Sequence, residues 1–418
     1  MKKNIFYAQS GGVTPVINAT AAGLIDAYNS NKNLFGKLYI GKNGIAGALN
    51  EELIDVNKED PKELKKLIHT PGGAFGSCRI KLKDPVKNKK EFLRILNVFK
   101  NHNIGYFFYN GGGDSQDTTL KISNFCKDHG YNIICIGLPK TIDNDLPVTH
   151  NCPGFGSVAK YIAISTYEAS LDVASMSNTS TKVFLLEVMG RHAGWLAASA
   201  GIIKTSQDSA PHLILLPEVS FNQGRFLTKV KTTVKKYGYC VIVASEGIKN
   251  NKGEFVAASK SKDSFGHAHL GGVAPKLANM ITEKLKIKVH WSVADYLQRA
   301  ARHIASSVDV KQAYSIGKSA ISHAKQGKNG VMLSIKKNST KKFKWGISDV
   351  RLSNVANKEK KLPKSYISHD GFGITKSCKT YIENLVQGED YPPYKNGVPD
   401  YAKLKHPLVK KKLKDFWK

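Results

Sequence analysis

Two short stretches of the sequence hold the residue types best suited to chemistry. Residues 109–115 read Tyr-Asn-Gly-Gly-Gly-Asp-Ser, and residues 137–145 read Gly-Leu-Pro-Lys-Thr-Ile-Asp-Asn-Asp. Glycines ahead of a helix let the backbone approach a ligand, and the helix N-terminus offers N–H groups to an anion. Asp143 and Asp145 are two residues apart, so in an extended loop their side chains point the same way. A phosphate cradle beside paired carboxylates suggests phosphoryl transfer.

Strands that alternate with helices must position these stretches. Each of the two stretches follows an apolar run, and the further apolar runs 182–189 and 240–245 end near Arg191 and Glu246. Such alternation predicts a mostly parallel sheet with helices on both faces. Ligands of these sheets bind at the carboxyl ends of the strands. We therefore predict an α/β fold whose chemistry lies at the strand ends.

Other charged residues and turns are weaker candidates on their own. The turn at residues 10–12, Ser-Gly-Gly, follows a first strand and precedes a helix, which makes it a possible anion site. Arg79 lies in a glycine-rich loop, where a lone arginine is more often a surface charge. Arg191 is a better functional candidate than Glu187. For Glu187 we expect a buried salt bridge, because an unpaired buried carboxylate is costly.

The chain is long enough for two sizeable cores. It has 418 residues, 41% of them hydrophobic, so a single uniform domain is not expected. No apolar run is long enough to span a bilayer, and the N-terminal apolar run is too short for a signal peptide. The six cysteines are scattered, so free thiols fit better than disulfides or a zinc site. We expect a cytoplasmic location and no membrane binding.

The formal net charge of +30 is unusual for a protein of this length. A nucleic-acid binder is one interpretation of such a charge. The lysines, however, are spread over the whole chain rather than gathered into one stripe with aromatic residues between them. We favour compositional drift together with attraction for anionic metabolites, and we expect no nucleic-acid partner.

The end of the chain, from Lys358 onward, is basic and rich in predicted loops. Residues 404–413 could form a basic amphipathic helix that lies on a membrane or binds an acidic partner. We favour the simpler prediction of a terminal helix that packs by its leucines and leaves its lysines in solvent.

Three motifs together resemble the phosphofructokinase family, and most closely its pyrophosphate-dependent bacterial branch. They are Gly-Gly-Gly-Asp-Ser at 111–115, Pro-Lys-Thr-Ile-Asp-Asn-Asp at 139–145 and Met-Gly-Arg-His-Ala-Gly-Trp at 189–195. The first motif alone is a weak signal, but the three in this order are highly specific. The resemblance spans roughly residues 4–307.

The resemblance implies two similar Rossmann-like lobes, with mostly parallel sheets sandwiched by helices and the active site in the cleft between the lobes. Residues 1–152 would form the lobe that binds the phosphoryl donor, completed by later segments. Residues 153–340 would form the sugar-phosphate lobe, and residues 341–418 a basic extension packed on the lobes. Sites shared between subunits in the family imply a homodimer or homotetramer.

The family's catalytic roles fall on a few positions of this chain. Asp143 would take the proton from the 1-hydroxyl of fructose 6-phosphate, and Thr141 would contact the transferred phosphoryl group. Arg191 would stabilise charge on the phosphoryl oxygens, as phosphoryl transfer requires. Asp145, with Asp114 as a further ligand, would hold Mg²⁺.

The family's binding roles fall on two larger groups of positions. The resemblance implies that the sugar phosphate contacts Thr141, Asp143, Lys182 reaching from a neighbouring subunit, Met189, Gly190, Arg191, Glu246, Tyr296 and Arg299. It implies that the phosphoryl donor contacts Gly11, Gly12, Arg79, Gly112, Gly113, Asp114, Ser115 and Lys140.

Two of these positions bear on the choice of donor, because ATP-using relatives carry glycine at both. A carboxylate at Asp114 would fill and repel the place of a nucleotide's α-phosphate, and the ammonium of Lys140 can neutralise pyrophosphate and its leaving phosphate. The expected reaction converts pyrophosphate and fructose 6-phosphate reversibly into phosphate and fructose 1,6-bisphosphate, in glycolysis or gluconeogenesis. The alternatives are an ATP-dependent phosphofructokinase and a catalytically impaired regulatory subunit.

Three positions depart from the family pattern. Gly113 stands where most relatives have an acidic residue that helps to hold magnesium, which leaves the metal's ligand set open. His290 and Lys182 stand where many relatives have arginines that bind the sugar phosphate. Lysine lacks the fork of arginine, so the choice of sugar also stays open and includes a seven-carbon ketose phosphate.

Overall fold

The computed structural model describes residues 2–262, 268–339 and 343–416, and it alternates strands and helices along most of this length. The strands are β1 (Asn4–Gln9), β2 (Leu38–Gly41), β3 (Leu53–Asp55), β4 (Ile104–Gly111), β5 (Ile134–Pro139), β6 (Val183–Val188), β7 (Leu213–Leu215), β8 (Cys240–Ser245), β9 (Ala258–Lys262), β10 (Ala268–Leu270), β11 (Val289–Val293), β12 (Val331–Lys337), β13 (Trp345–Arg351), β14 (Tyr394–Lys395) and β15 (Val398–Pro399). The α-helices are α1 (Ile17–Asn29), α2 (Ala46–Asn50), α3 (Pro61–Lys66), α4 (Lys89–Asn101), α5 (Gly113–Asp128), α6 (Phe155–Met176), α7 (Trp195–Ser199), α8 (Gln223–Tyr237), α9 (Val273–Leu285), α10 (Asp295–Ala300), α11 (Ser307–Lys325) and α12 (Lys376–Leu385).

The larger sheet has the strand order β13-β12-β5-β4-β1-β2-β3. Its inner strands run parallel, and β3 and β13 pair antiparallel at the two edges. One face packs on α1 and α11 through residues such as Leu24 and Ile316. The other face packs on α4 and α5 through aromatic residues such as Phe99 and Phe125. The sheet is therefore buried on both faces, which is typical of parallel sheets.

The smaller sheet has the order β11-β6-β8-β7, and all of its strands run parallel. One face packs on α6, α7 and α12, where Ile162, Leu196 and Ile382 are buried. The other face packs on α8 and α9 through Val230 and Leu277. Two parallel sheets, each between helices, confirm the predicted α/β class.

Strand register brings the motifs predicted from sequence to the same sheet edges. In the larger sheet, Gln9 pairs with Asn110 and Gly111 with Pro139, so the turns after β1, β4 and β5 lie side by side. In the smaller sheet, Val188 pairs with Ser245, which places the ends of β6 and β8 together. The carboxyl-end rule for parallel sheets thus predicts where these motifs meet.

The chain returns to the larger sheet after completing the smaller one. β12 pairs with β5, β13 pairs with β12, and α11 packs against α1. Part of the range 153–340, which we expected in the sugar-phosphate lobe, therefore lies in the lobe of the larger sheet. The expected completion of residues 1–152 by later segments has its physical basis here, because β5 needs β12 to cover its open edge.

The end of the chain does not form the predicted terminal helix, and that prediction over residues 404–413 is wrong. The segment is extended along β3: the N–H of Asp55 donates to Pro407 O at 2.9 Å, and the N–H of Val409 donates to Leu53 O at 2.8 Å. Leu413 packs against the core beside β3. The backbone satisfies the open edge of β3, which a helix could not do.

Two expectations from composition can be compared with the structure. In the described ranges, no helix combines the length and apolar character needed to cross a bilayer. All six cysteines are free thiols, and all but Cys78 are buried, as their scattered spacing predicted.

Candidate functional site

The carboxyl ends of both sheets open into one cleft with a volume of about 670 Å³. The cleft is lined by turns after β1 and β4, by the loop after β5, and by segments after β6, β8 and β11. Most of the residues predicted from sequence line it: Gly11, Gly12, Arg79, Gly112, Gly113, Asp114, Ser115, Lys140, Thr141, Asp143, Asp145, Met189, Arg191, Glu246, Tyr296 and Arg299. The fold therefore brings together residues that are as far as 288 positions apart in the chain, from Gly11 to Arg299.

Lys140 is buried where the loop after β5 begins. Its Nζ donates to the carbonyl oxygen of Gly12 at 2.5 Å. Burial lowers the pKa of Lys140 to about 7, and the nearby cations Arg79 and Arg299 act in the same direction. An anion bound beside these three cations would favour the charged ammonium again, because opposite charges stabilise each other.

The glycine turn after β1 leaves room for these cations to converge. A Cβ atom on Gly12 would lie 3.1 Å from Nη1 of Arg299 and 3.6 Å from Nη2 of Arg79. The guanidinium of Arg299 also stacks on the Tyr296 ring, 3.8 Å from its centroid, an arrangement that stabilises a cation. Arg299 therefore lies beside Gly12, one of the glycines that we predicted to contact the phosphoryl donor. Its contact with the sugar 6-phosphate stays a prediction.

Asp143 faces the cleft from the same loop as Lys140. Its backbone N–H donates to the hydroxyl oxygen of Thr141 at 3.1 Å. Burial raises the pKa of the Asp143 carboxyl to about 8, and the carboxylates of Asp145 and Glu246 add to the effect. A carboxyl with a pKa near neutrality suits a general base, because proton transfer works best when the pKa lies near the working pH.

Asp145 is the residue whose geometry best fits a metal ion. Its Oδ1 atom is buried and has no hydrogen-bond partner among the described residues. Burial raises the pKa of Asp145, whereas a hydrogen bond from Thr141 lowers it. Within the described ranges, His, Cys, Asp and Glu side chains form no cluster of three or more suited to a metal. Mg²⁺ commonly uses one or two carboxylates, with water and substrate phosphates as its other ligands, so a lone carboxylate is compatible with it.

Asp114 lies in the first turn of α5 and has a partner that the sequence did not reveal. Nζ of Lys81 lies 2.6 Å from Oδ1 of Asp114, and both side chains are partly exposed. The carboxylate therefore lies in an ion pair at the mouth of the donor side, next to the N–H groups of the α5 N-terminus. This ion pair could not be predicted from the sequence, because Lys81 lies in a loop of irregular conformation 33 positions before Asp114.

Glu246 and the turn after β6 form the opposite wall. The N–H of Gly190 donates to Oε1 of Glu246 at 3.4 Å, and Gly190 has a φ of +137°, which favours glycine. Burial raises the pKa of Glu246, and the charge of Arg191 lowers it. Met189 and Arg191 line the cleft on either side of Gly190, which is not itself among the lining residues.

Among the residues that the structure describes, Glu187 has no salt-bridge partner, contrary to our expectation. Its carboxylate accepts hydrogen bonds from the N–H groups of Gly272 at 3.2 Å and Ala274 at 2.7 Å. These groups lie at the N-terminus of α9, where a carboxylate satisfies N–H groups that lack partners within the helix. The N-terminus of α9 therefore takes the place of the positively charged partner that we expected for Glu187.

Lys182 and His290 lie away from the cleft of their own chain. Lys182 precedes β6, at the end opposite the cleft, and its Nζ donates to Ser177 O at 2.7 Å. His290 is exposed on β11, paired with Phe184 of β6. A role for Lys182 in the sugar-phosphate site therefore requires a second subunit, as the resemblance implied.

Two further carboxylates line the cleft without having been predicted. Asp295 begins α10 with a φ of +34°. Because Asp295 follows β11, its place in the cleft could have been predicted from the rule that ligands bind at the carboxyl ends of parallel strands. Glu359 comes from the segment after β13, and its Oε1 lies 3.1 Å from Nδ1 of His192. Nothing in the sequence marked Glu359, because it lies in a run of charged residues far from any strand end.

Comparisons with known proteins show what the whole chain is similar to. Residues 4–324 match the family model described as phosphofructokinase. The chain is 54% identical over 413 residues to the pyrophosphate–fructose 6-phosphate 1-phosphotransferase of Halomonas elongata, covering 99% of both chains. It is 54% identical over 411 residues to the protein of the same name from Methylococcus capsulatus, covering 98% of both. A solved pyrophosphate-dependent phosphofructokinase from Marinobacter aquaeolei has a TM-score of 0.91, 54% identity and 99% coverage of both chains.

Proposed function

The chain belongs to the phosphofructokinase family, and from this premise we propose that it transfers a phosphoryl group from pyrophosphate to the 1-hydroxyl of fructose 6-phosphate. The products are fructose 1,6-bisphosphate and phosphate, and the reaction is reversible. Relatives that match it over nearly their whole length carry the name of this activity, which favours it over the ATP-dependent and regulatory alternatives. The observation that carries the proposal is that Lys140, Arg79 and Asp143 line one cleft.

Asp143 acts as the general base for the sugar hydroxyl. Its carboxylate takes the proton as the sugar's O1 attacks phosphorus; the O1–P bond forms and the bond from phosphorus to the bridging oxygen breaks. The leaving group is phosphate. The raised pKa of Asp143, about 8, makes the carboxylate a stronger base than an ordinary aspartate, which is how burial assists the transfer.

Lys140 and Arg79 hold the donor and stabilise the charge that it carries. Lys140, Arg79 and Arg299 converge on the glycine turn after β1, where backbone N–H groups can also meet phosphate oxygens. Arg191 reaches the transferred group from the opposite wall. Positive groups placed in advance act mainly by electrostatic stabilisation of the transition state.

The Lys81–Asp114 ion pair sets the boundary of the donor site. Asp114 occupies the first turn of α5 and Lys81 holds its carboxylate. A nucleotide would have to bring its α-phosphate to this carboxylate, and the contact between two anions is unfavourable. A bare diphosphate ends before that point, so the pair selects the shorter donor.

Mg²⁺ is the divalent cation that we propose for this site. Asp145 would hold it through its unpartnered Oδ1 atom, whereas the carboxylate of Asp114, which we expected as a second ligand, is engaged by Lys81. When bound, the ion neutralises part of the charge of pyrophosphate. Gly113 has no neighbouring atom within 4 Å of a built Cβ, so the place of the family's usual acidic residue is open space.

We also propose that the active form is at least a homodimer. Large apolar side chains are exposed on α6 and on the edge strand β11, among them Leu171 at 55% and Trp291 at 47%. Lys182 directly precedes β6, and His290 lies on the neighbouring strand β11. A second copy covering this surface would bury apolar area and bring Lys182 to the neighbour's sugar-phosphate site.

A coupled assay that compares donors and sugars tests the proposed function. We expect turnover with pyrophosphate and fructose 6-phosphate in the presence of Mg²⁺, and much weaker turnover with ATP. The same assay with a seven-carbon ketose phosphate measures the sugar choice that Lys182 and His290 leave open. Absence of turnover with pyrophosphate in a correctly folded protein would contradict the proposal.

A further inference from the structure

The family match ends at residue 324, yet a later segment reaches the catalytic loop. Residues 359–362 pass between the loop after β5 and the start of α7. The N–H of Lys360 donates to Asp145 O at 2.6 Å, and the N–H of Leu362 donates to Oε1 of Glu218 at 3.0 Å. Backbone contacts therefore dock this segment on both lobes beside Asp145.

The ammonium of Lys360 binds the loop that follows Asp143. Its Nζ lies 3.2 Å from Thr149 O, 3.2 Å from His150 O and 3.4 Å from Oδ1 of Asn144. Burial lowers the pKa of Lys360, and the carboxylate of Asp145 is among the groups that oppose this effect. A buried lysine with several oxygen acceptors is well suited to fix a backbone conformation, because each acceptor otherwise loses a partner.

The loop needs such support because parts of its backbone are strained. Asn144 has a φ of +52° and Val148 a φ of +59°. The left-handed region is unfavourable for a β-branched residue such as Val148 and persists only where the surroundings fix it. Tyr381 supports the same loop by donating its hydroxyl to His150 O at 2.7 Å. The strained loop is thus held by residues that follow the family match.

Lys360 also connects this loop to the opposite lobe. Its carbonyl oxygen accepts a hydrogen bond from Nε1 of Trp195 at 3.1 Å, and its Nζ lies 5.4 Å from the centroid of the Trp195 ring. Trp195 begins α7, four positions after Arg191. One residue therefore contacts the loop that carries the base and the helix that follows the phosphoryl-binding arginine.

We propose that Lys360 is a positioning residue for phosphoryl transfer: it fixes the loop that carries Asp143 and Asp145 relative to Arg191. The inference rests on the proposed function. Lys360 does not line the cleft, so it acts on the reaction through the loop rather than by contact with substrate.

Lys360→Met tests the inference, with Lys358→Met as the matched control because Lys358 is exposed two positions away. We expect kcat with pyrophosphate to fall by about 10²-fold, the loss that a misplacement of about 1 Å can cause, with little change in KM. Lys358→Met should behave as the unmodified protein does.

Binding of fructose 6-phosphate by calorimetry shows whether Lys360→Met is folded. If that variant does not fold, Lys360→Arg provides the test instead. The planar guanidinium keeps the charge but cannot reproduce the contacts of the ammonium. Its kcat should therefore also fall, with little change in KM. A folded Lys360→Met with unchanged kcat, or an unchanged kcat in Lys360→Arg, would overturn the inference alone. Absence of pyrophosphate activity in the unmodified protein would overturn the proposed function and the inference with it.

Discussion

Lys140 and Asp143 lie three positions apart, and burial in the cleft moves both of their pKa values towards neutrality. The pKa of Lys140 falls to about 7 and that of Asp143 rises to about 8. In water an ammonium and a carboxyl group would titrate several pH units further apart. The cleft therefore makes both Lys140, which we propose holds the donor, and Asp143, which we propose activates the sugar, sensitive to pH near 7 and to bound anions.

Asp143→Asn should remove most turnover and leave sugar binding in place. An amide cannot accept the proton of the 1-hydroxyl, so we expect kcat to fall by about 10²- to 10⁴-fold. In the unmodified protein kcat/KM should rise with pH as Asp143 loses its proton, and the variant should lack this limb. Steady-state kinetics against pH, with calorimetry of fructose 6-phosphate, measure both effects. Asp128→Asn, at an exposed site at the end of α5, serves as the control, and full activity of Asp143→Asn would contradict the assigned role.

At the scale of elements, the strand ends were predictable from the sequence and the irregular segments were not. An apolar run followed by glycines marked the end of β4, and an apolar run followed by a loop with one lysine and two carboxylates marked the end of β5. Parallel pairing brings such ends together. Lys81 and Glu359 were missed because loops reach the cleft by tertiary packing, which leaves no local pattern in a sequence. The prediction of a terminal helix was wrong for a related reason. The leucines of this segment can pack on an apolar surface in a helix or in an extended chain, and the open edge of β3 favours the extended chain.

The extended C-terminal segment is held by a buried carboxylate, which gives a stability test. Glu51 accepts hydrogen bonds from the N–H groups of Lys412 at 2.6 Å and Leu413 at 3.0 Å, and its Oε1 lies 2.7 Å from Nε2 of His102. Burial alone would raise the pKa of Glu51, but these contacts outweigh it and the pKa is lowered. Stability from this site is therefore present above the ordinary pKa and lost as pH falls through the folded-state pKa.

Glu51→Gln should lower the free energy of unfolding at pH 7 by about 1–3 kcal/mol, because the amide nitrogen cannot accept the hydrogen bonds that the carboxylate receives. Denaturant unfolding followed by circular dichroism measures the difference. We expect this difference to shrink as the pH falls through the lowered folded-state pKa of Glu51, because the carboxylate itself then becomes protonated. Glu52→Gln is the control, since Glu52 is partly exposed and pairs with Lys42 at 3.8 Å. Equal effects of the two changes would argue against an anchoring role for Glu51.

At the scale of the whole molecule, two sandwiched sheets face each other across the cleft, and one lobe presents an apolar surface. The surface on α6 and β11 lies beside Lys182 rather than beside the cleft of its own chain. Sequence could indicate a shared site only through the family resemblance, because exposure of apolar residues depends on the packed fold. The assembly and the sugar site are thus linked in our account.

Leu171→Asp should separate the proposed dimer and weaken sugar binding together. A carboxylate in an apolar interface is unfavourable, and separation removes Lys182 from the neighbour's site. Loss of one charged phosphate contact should raise the KM for fructose 6-phosphate by about 10-fold or more. Analytical ultracentrifugation and kinetics measure the two effects. Val86→Asp, at another exposed apolar position, is the control, and a monomeric Leu171→Asp with an unchanged KM would show that the sites are not shared.

The central claim is that Asp114 and Lys140 select pyrophosphate over ATP, and the donor preference of a double variant tests it most directly. The measurement is the ratio of kcat/KM for pyrophosphate to that for ATP, in the unmodified protein and in Asp114→Gly with Lys140→Gly. A variant with Lys127→Gly and Asp128→Gly, exposed at the end of α5, matches the changes in charge and backbone. We predict a strong preference for pyrophosphate in the unmodified protein and the control, and a shift of at least about 10²-fold towards ATP in the double variant, because it loses one repulsive and one attractive charge contact. An unmodified protein that prefers ATP, or a double variant with an unchanged ratio, would contradict the claim.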